Sequence, residues 1–140
     1  MEKKNLSLKD TFILALENYK KRNFTLAENL CNKILSIDDY HYDSIILLAN
    51  INAMKQNFLK SKDLLERANE IKPNNLAVLN NLGTAYKEIG DIKKAINFYE
   101  KIISLDSNHP NAHLNLGGAY YNLKNFVKAK NFYKKATEIQ

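Results

Sequence analysis

Apolar and small residues recur along the chain with the 3.6-residue period of amphipathic helices, and the amphipathic stretches come in pairs. The stretch from Leu79 to Tyr86 places these residues on one helical face, and the stretch from Ile92 to Ile102 does the same. An Asn or Asp separates the two stretches of every pair: Asn23, Asn57, Asp91 and Asn125. These residue types cap helix N-termini with their side-chain oxygens. The pattern therefore predicts four helix-turn-helix hairpins, with each of these residues capping a second helix.

The hairpins repeat every 34 residues without an insertion or deletion. Six columns of apolar or small residues keep this register; one consists of Leu14, Leu48, Leu82 and Leu116, and the next of Ala15, Ala49, Gly83 and Gly117. The predicted repeats span 8–41, 42–75, 76–109 and 110–140, preceded by a lead-in at 1–7. One hairpin cannot bury its apolar face alone, so repeats stack on their neighbours. We expect a single all-α domain over residues 8–140.

Three local signals support these helix boundaries. Ser7 and Asp10 resemble a capping box at the start of the first helix. Gly90 precedes Asp91, where a left-handed helix end is expected. Pro73 and Pro110 fall between repeats, where helices must stop or start.

Composition narrows the functional classes. The chain is 45% hydrophobic and 26% charged, which is typical of a globular domain, and it contains no apolar run long enough to span a bilayer. Without a signal-peptide core, a cytoplasmic location is expected. The net charge of +6 raises the question of nucleic-acid binding, but Arg22 and Arg67 are the only arginines. Because base readers rely on the bidentate geometry of Arg, we expect no nucleic-acid partner.

The chain lacks the residue patterns of common catalytic and cofactor sites. It has no phosphate-binding glycine loop, dinucleotide motif or nucleophile elbow, so we expect neither an enzyme nor a cofactor. Cys31 lies on an apolar face and is expected to be a buried hydrophobe. His109 and His113 have a metal-compatible spacing, but the first begins a helix and the second occupies a packing column. His41 is a lone loop histidine, and no metal site is expected.

The repeats resemble the tetratricopeptide repeat family. The family's L-G-x-x-Y element occurs from Leu82 to Tyr86 and from Leu116 to Tyr120, and its A-x-x-x-F/Y element from Ala95 to Tyr99 and from Ala129 to Tyr133. The first two repeats depart from it, with Asn18 and Asn52 in place of the tyrosine and Thr11 and Ile45 where Trp is common. The resemblance implies a right-handed α-solenoid whose first helices line a concave groove that binds protein segments.

The helical periodicity indicates which residues are free to face such a groove. In each first helix a second stripe adjoins the packing stripe, and in the second helix pair it includes Asp43 and Leu47. This stripe is apolar in repeats one and two and rich in amides in repeats three and four. The residues expected to bind a partner are Phe12, Leu16, Ile46, Asn50, Met54, Asn80, Asn81, Thr84, Asn115, Tyr121 and Asn122. An amide side chain offers donors and an acceptor to any peptide bond.

Several occupants of the apolar stripe stay open at this point. A peptide of another protein, the segment Met1–Leu6 and a second copy in a homodimer all fit an apolar surface. The family's chaperone-tail clamp does not fit, because Ile46, Asn111 and Asn115 stand where it needs cations. The remaining classes are a protein-binding module or scaffold, a self-associating subunit and a small chaperone for one client protein. Lys130 and Thr137 replace apolar residues in the last repeat, and we expect them to form a solvated end cap.

Overall fold

The computed structural model describes residues 6–139, and all of its regular structure is helical. Its helices are α1 (Leu8–Lys20), α2 (Phe24–Leu35), α3 (Tyr42–Met54), α4 (Phe58–Ile71), α5 (Leu76–Ile89), α6 (Ile92–Leu105), α7 (Pro110–Asn122) and α8 (Phe126–Glu138). The first helix of each hairpin starts at the residue that begins the predicted repeat. The fold class and the four hairpins are therefore confirmed, and residues 1–5 of the predicted lead-in lie outside the described residues.

The helices fall into two compact units, Met1–Ile71 and Lys72–Gln140. In unit 1, α1 pairs with α2 and α3 with α4, and α3 also contacts α2 and α1. Unit 2 repeats this arrangement, with α5 paired to α6, α7 paired to α8, and α7 against α6. Within each unit, the first helix of the later hairpin thus packs on the hairpin before it, as repeat stacking requires.

The helices of each hairpin approach closely through the column of small residues. A Cβ atom added to Gly83 would lie 2.4 Å from Cε1 of Tyr99, and one added to Gly117 would lie 2.6 Å from Cδ1 of Tyr133. Ala15 and Ala49, which are fully buried, fill this column in unit 1. At the position that faces this column, a large ring therefore occurs only where the column is glycine, since a methyl group and a ring cannot share the space.

The first helices all begin with a side-chain cap at the same register position. Ser7 Oγ accepts a hydrogen bond from Asp10 N at 3.1 Å, so the predicted cap is confirmed. The equivalent residue of α5, Asn75, accepts from Val78 N at 3.1 Å. His41 Nδ1 accepts from Ser44 N at 3.3 Å and His109 Nδ1 from Ala112 N at 3.1 Å. The structure thus gives His41, a lone loop histidine in the sequence, a capping role.

The caps of the second helices are confirmed at three of the four predicted positions. The side chains of Asn57, Asp91 and Asn125 accept from the amide three residues later at 3.2–3.4 Å. The prediction is wrong at Asn23, whose side chain makes no cap and instead donates from Nδ2 to Oδ1 of Asn18 at 3.2 Å. Asn18 stands in the column where repeats three and four have tyrosine, and its short amide reaches the turn.

Each hairpin turn contains one residue with a left-handed backbone, at φ between 58° and 98°: Arg22, Gln56, Gly90 and Lys124. The following amide then donates to the carbonyl five residues earlier, as Asp91 N does to Tyr86 O at 2.9 Å. This bond satisfies an unpaired helix-terminal carbonyl. The left-handed end predicted at Gly90 is confirmed, and the structure extends it to three turns that lack glycine. A side chain there is strained because its Cβ crowds the next carbonyl.

Introducing glycine should therefore stabilise the turns that lack it, whereas replacing Gly90 should destabilise the protein. Gln56→Gly and Lys124→Gly should each raise the free energy of unfolding by about 0.5–1 kcal/mol, and Gly90→Ala should lower it by about 1 kcal/mol. Urea unfolding followed by circular dichroism measures both changes. Gln56→Ala is the control, because it keeps the Cβ and should leave stability nearly unchanged. A Gly90→Ala variant as stable as the parent would contradict this account of the turns.

A carboxylate ties α2 to the following hairpin. Glu28 accepts from Lys55 Nζ at 2.6 Å and from Lys60 Nζ at 3.3 Å, and 15% of its side chain is exposed. The hydrogen bond from Lys55 lowers the pKa of Glu28, partly offset by desolvation, with a smaller lowering from Lys60. A carboxyl group with a lowered pKa in the fold stabilises the protein above its unfolded pKa and loses this effect as the pH falls through the folded value.

Removing this carboxylate should have a pH-dependent effect. Glu28→Gln should lower the free energy of unfolding at pH 7 by at most about 1 kcal/mol, because the lysines are partly solvated. The deficit should shrink as the pH falls below the ordinary carboxyl range, where Glu28 becomes protonated in the parent too. Urea titrations from pH 3 to pH 7 test this, with Glu17→Gln on the exposed face of α1 as the charge-matched control. A deficit that does not change with pH would rule out the ion pair as its source.

Candidate functional site

Four of the residues expected to bind a partner surround one depression in unit 1. Phe12 and Leu16 on α1 face Ile46 and Asn50 on α3 across a space of about 240 Å³. Asp43 and Leu47 complete its lining. The two helices present these side chains together because α3 contacts α1 as well as α2. The apolar half of the predicted stripe is thus a concave surface, which we call the unit 1 depression.

The unit 1 depression has an apolar floor and a polar edge. Leu47, on the floor, is 4% exposed and belongs to the core cluster with Ala15 and Cys31. The sequence pattern placed it on the groove stripe, but its side chain is buried because α3 packs on the preceding hairpin. Phe12 and Leu16 pack against this cluster and stay half-buried. The exposed carboxylate of Asp43 lies at the edge. The sequence pattern places Asp43 on this stripe, which is the signal that identifies it, but the set of expected binding residues omits Asp43.

Three of the predicted polar residues meet in unit 2. Asn115 Nδ2 donates to Asn80 Oδ1 at 2.7 Å, which joins α7 to α5. Thr84 Oγ1 donates to the Asn80 carbonyl at 3.1 Å and lies 3.4 Å from the hydroxyl of Tyr99. We call these three residues, Asn80, Thr84 and Asn115, the amide cluster. Their hydrogen bonds to each other use part of the capacity that was expected to serve a partner.

The other predicted residues lie apart from these two groups. Met54 is half-exposed at the end of α3, outside the lining of the unit 1 depression. Asn81 is half-buried on α5. Tyr121 is 58% exposed and packs edge-to-face on Phe126, with ring centroids 5.4 Å apart. Asn122 is exposed at the end of α7. The single predicted stripe is thus divided among several surfaces.

The histidines and the cysteine have structural roles. His113 is 4% exposed, and its Nε2 donates to the Ser107 carbonyl at 2.8 Å. Burial raises the pKa of the Cys31 thiol to about 12, so this side chain is neutral at physiological pH. Within residues 6–139, no group of three or more His, Cys, Asp or Glu side chains is placed to hold a metal ion. No helix in the same range is long and apolar enough to cross a membrane.

The hydrogen bond between Asn80 and Asn115 should appear as a coupling energy. Asn80→Ala and Asn115→Ala should each destabilise the protein, and the double variant should lose about 0.5–1.5 kcal/mol less than the sum of the two. Urea unfolding of the four proteins gives this value. The pair Asn115→Ala and Asn122→Ala is the control, and its effects should add. Additive losses for Asn80 and Asn115 would show that the bond contributes nothing to stability.

Family models described as TPR repeat or tetratricopeptide repeat match residues 64–97, 83–124 and 110–140, which together exceed half of the chain. The uncharacterized protein ycf37 of Pyropia yezoensis is 34% identical over 100 residues, which is 71% of this chain and 51% of that protein. Tetratricopeptide repeat protein 21B of Xenopus laevis is 30% identical over 80 residues, covering 57% of this chain and 6% of that protein.

A third relative is an enzyme by name. The UDP-N-acetylglucosamine–peptide N-acetylglucosaminyltransferase of Caenorhabditis elegans is 29% identical over 89 residues, which is 64% of this chain and 8% of that protein. The chain thus spans about half of the Pyropia relative and less than a tenth of the other two. The match to the transferase covers too little of it to carry an activity to this chain.

Solved structures with the same fold include two of MamA. One is 24% identical with a TM-score of 0.88, covering 94% of this chain and 77% of that one. The other, from Desulfovibrio magneticus RS-1, is 16% identical with a TM-score of 0.90, covering 95% and 75%. These identities establish the shared fold alone. The matching family models and the 34-residue register of the helices show that this chain belongs to the tetratricopeptide repeat family.

Proposed function

We propose that this protein is an interaction scaffold that binds a segment of another protein at the unit 1 depression. The observation that carries the proposal is the convergence of Phe12, Leu16 and Ile46 on a concave space of about 240 Å³. That volume suits one or two apolar side chains. A partner that fills it would cover half-exposed apolar surface, which is favourable at about 25 cal/mol per Å².

Polar groups at the edge would orient the bound segment. Asn50 lines the depression with its amide group, which can donate to a carbonyl and accept from an N–H of an extended backbone. Asp43 adds a negative charge beside the apolar floor, so a partner with Lys or Arg next to its apolar anchor would be favoured. In unit 2, Asn81 and the amide cluster offer further hydrogen-bonding groups. We propose that they form a second, polar contact surface, which belongs to unit 2 alone.

Ile46 is the residue whose replacement tests the proposal most directly. Ile46→Glu places a charge in the depression and should reduce partner capture from a lysate of the native cell at least tenfold, because burying an unpaired carboxylate is costly. Quantitative mass spectrometry of the captured proteins measures the effect. Leu59→Glu is the matched control, because Leu59 is 62% exposed on α4 of the same unit and does not line the depression.

Both variants must unfold like the parent in urea before their capture is compared. Partners retained by Ile46→Glu, or lost equally with Leu59→Glu, would contradict binding at the depression. Asn81→Ala combined with Asn115→Ala tests the polar contribution, which is wrong if a folded double variant captures the same partners undiminished.

Self-association is the second candidate function. The observation that favours it is the number of large apolar side chains left exposed, including Leu114, Val127 and Phe126 at 51%, 73% and 58%. Sedimentation velocity over a hundredfold range of concentration separates the two candidates. A stable dimer that Ile46→Glu dissociates would assign the depression to a second copy of the chain.

A further inference from the structure

Hairpin α7–α8 carries an open apolar surface of its own. This surface borders an open space of about 590 Å³. The space is lined by Tyr121, Phe126, Ala129, Lys130, Tyr133, Lys134 and Thr137. We call this surface the α8 seat. Lys130 and Thr137 lie on it, where a solvated end cap is expected, but most of the surface is apolar. Tyr121 and Phe126 are each 58% exposed there.

The lining of the α8 seat corresponds, residue by residue, to a surface that is filled in unit 1. Three repeats earlier, the positions of Tyr121, Phe126, Ala129, Tyr133 and Thr137 hold Tyr19, Phe24, Ala27, Cys31 and Leu35. Those five residues belong to or pack against the core cluster that also contains Leu47 and Ile51 of α3. Hairpin α1–α2 therefore shows how such a surface is covered. A helix lies on it and inserts two apolar side chains four residues apart, Leu47 at 4% and Ile51 at 0% exposure.

The charged residue at the edge of the α8 seat has the opposite sign to the corresponding residue of hairpin α1–α2. In unit 1 the edge residue is Glu28, and Lys55, the C-cap of the helix lying on it and four residues after Ile51, donates to Glu28 from Nζ at 2.6 Å. The residue at the same register position in α8 is Lys130. Lys130 is exposed, and none of the ion pairs seen within residues 6–139 includes it. A helix covering this seat would need a carboxylate where α3 has an ammonium group.

The chain's own first helix does not meet this requirement. At the register positions of Ser44, Leu47, Ile51 and Lys55, α1 carries Asp10, Ile13, Glu17 and Lys21. A second copy docked by α1 would bury Glu17 where Ile51 is fully buried, and would place Lys21 opposite Lys130. Desolvating the first charge and opposing the second both cost free energy. End-to-end stacking of copies is therefore disfavoured at this surface.

From these observations we infer that the α8 seat binds an amphipathic helix of a partner protein. The helix carries two apolar side chains four residues apart and an Asp or Glu four residues further on. The apolar pair enters the space between Tyr121, Phe126 and Tyr133, and the carboxylate pairs with Lys130. This site is separate from the unit 1 depression, so its existence does not depend on the proposed function.

A peptide derived from the chain itself provides the probe. A fluorescein-labelled peptide of residues 41–57 carries the apolar pair of α3, and a second version carries Lys55→Glu. We expect fluorescence anisotropy to show that the Glu peptide binds the full chain about threefold to tenfold more tightly than the Lys peptide. With the Lys130→Glu protein this preference should reverse, because the new pair then repeats the Glu28–Lys55 pairing of unit 1.

Three matched variants locate the binding. Phe126→Asp should abolish it, whereas Val127→Asp, on an adjacent side chain outside the seat, should preserve it. Lys101→Glu makes the same change in net charge as Lys130→Glu and should leave the preference for the Glu peptide intact. Ile46→Glu should bind both peptides like the parent.

The inference is overturned by any of four outcomes. These are failure of both peptides to bind, equal binding of the two peptides, binding that survives Phe126→Asp, and a preference that does not change with Lys130→Glu. Concentration-dependent self-association of the full chain that Phe126→Asp abolishes would assign the seat to a second copy, and would overturn it as well.

Discussion

The structure depends on the close approach of two helices at one small residue in each hairpin. Ala15 and Ala49 set that distance in unit 1, and Gly83 and Gly117 set it in unit 2. With glycine in the column, a tyrosine ring fits against the opposing backbone; with alanine, only Cys31 or Leu65 is found at the facing position. The same repeat thus has two packing solutions, alanine facing a smaller side chain and glycine facing a tyrosine ring. Because the hairpins stay closed, their outer faces can differ without loss of the fold.

Much of this fold could be predicted from the sequence, since the 34-residue register fixes where helices begin. The first residues of all four repeats, Leu8, Tyr42, Leu76 and Pro110, are also the first residues of α1, α3, α5 and α7. Side-chain choices at the turns were less predictable. A residue type that caps three helices fails to do so at Asn23, where a neighbouring amide competes for it. The left-handed backbone at Arg22, Gln56 and Lys124 could not be predicted from these residue types, because glycine is the residue that usually marks that conformation.

The candidate site was predictable as a set of positions rather than as a surface. Helical periodicity placed Phe12, Leu16, Ile46 and Asn50 on one stripe, and in the structure these residues line one depression. They lie together there because α1 contacts α3. It misassigned Leu47, because periodicity within one helix does not show how far the preceding hairpin covers it. It also treated the amides of repeats three and four as available, whereas Asn80 and Asn115 bond to each other. Pairing between side chains 35 residues apart requires the packed structure.

The burial of Cys31 has a practical consequence for studying the protein's dynamics. It is the only cysteine in the chain, it is fully buried between α2 and its neighbours, and its thiol stays protonated in the fold. Alkylating reagents attack thiolates, so modification must wait until unit 1 opens. The rate of labelling therefore reports opening of the structure around Cys31, without any engineered probe. Partner binding at the unit 1 depression would slow that rate, because Leu47 on its floor belongs to the same core cluster as Cys31, so this thiol tests that surface in the unmodified protein.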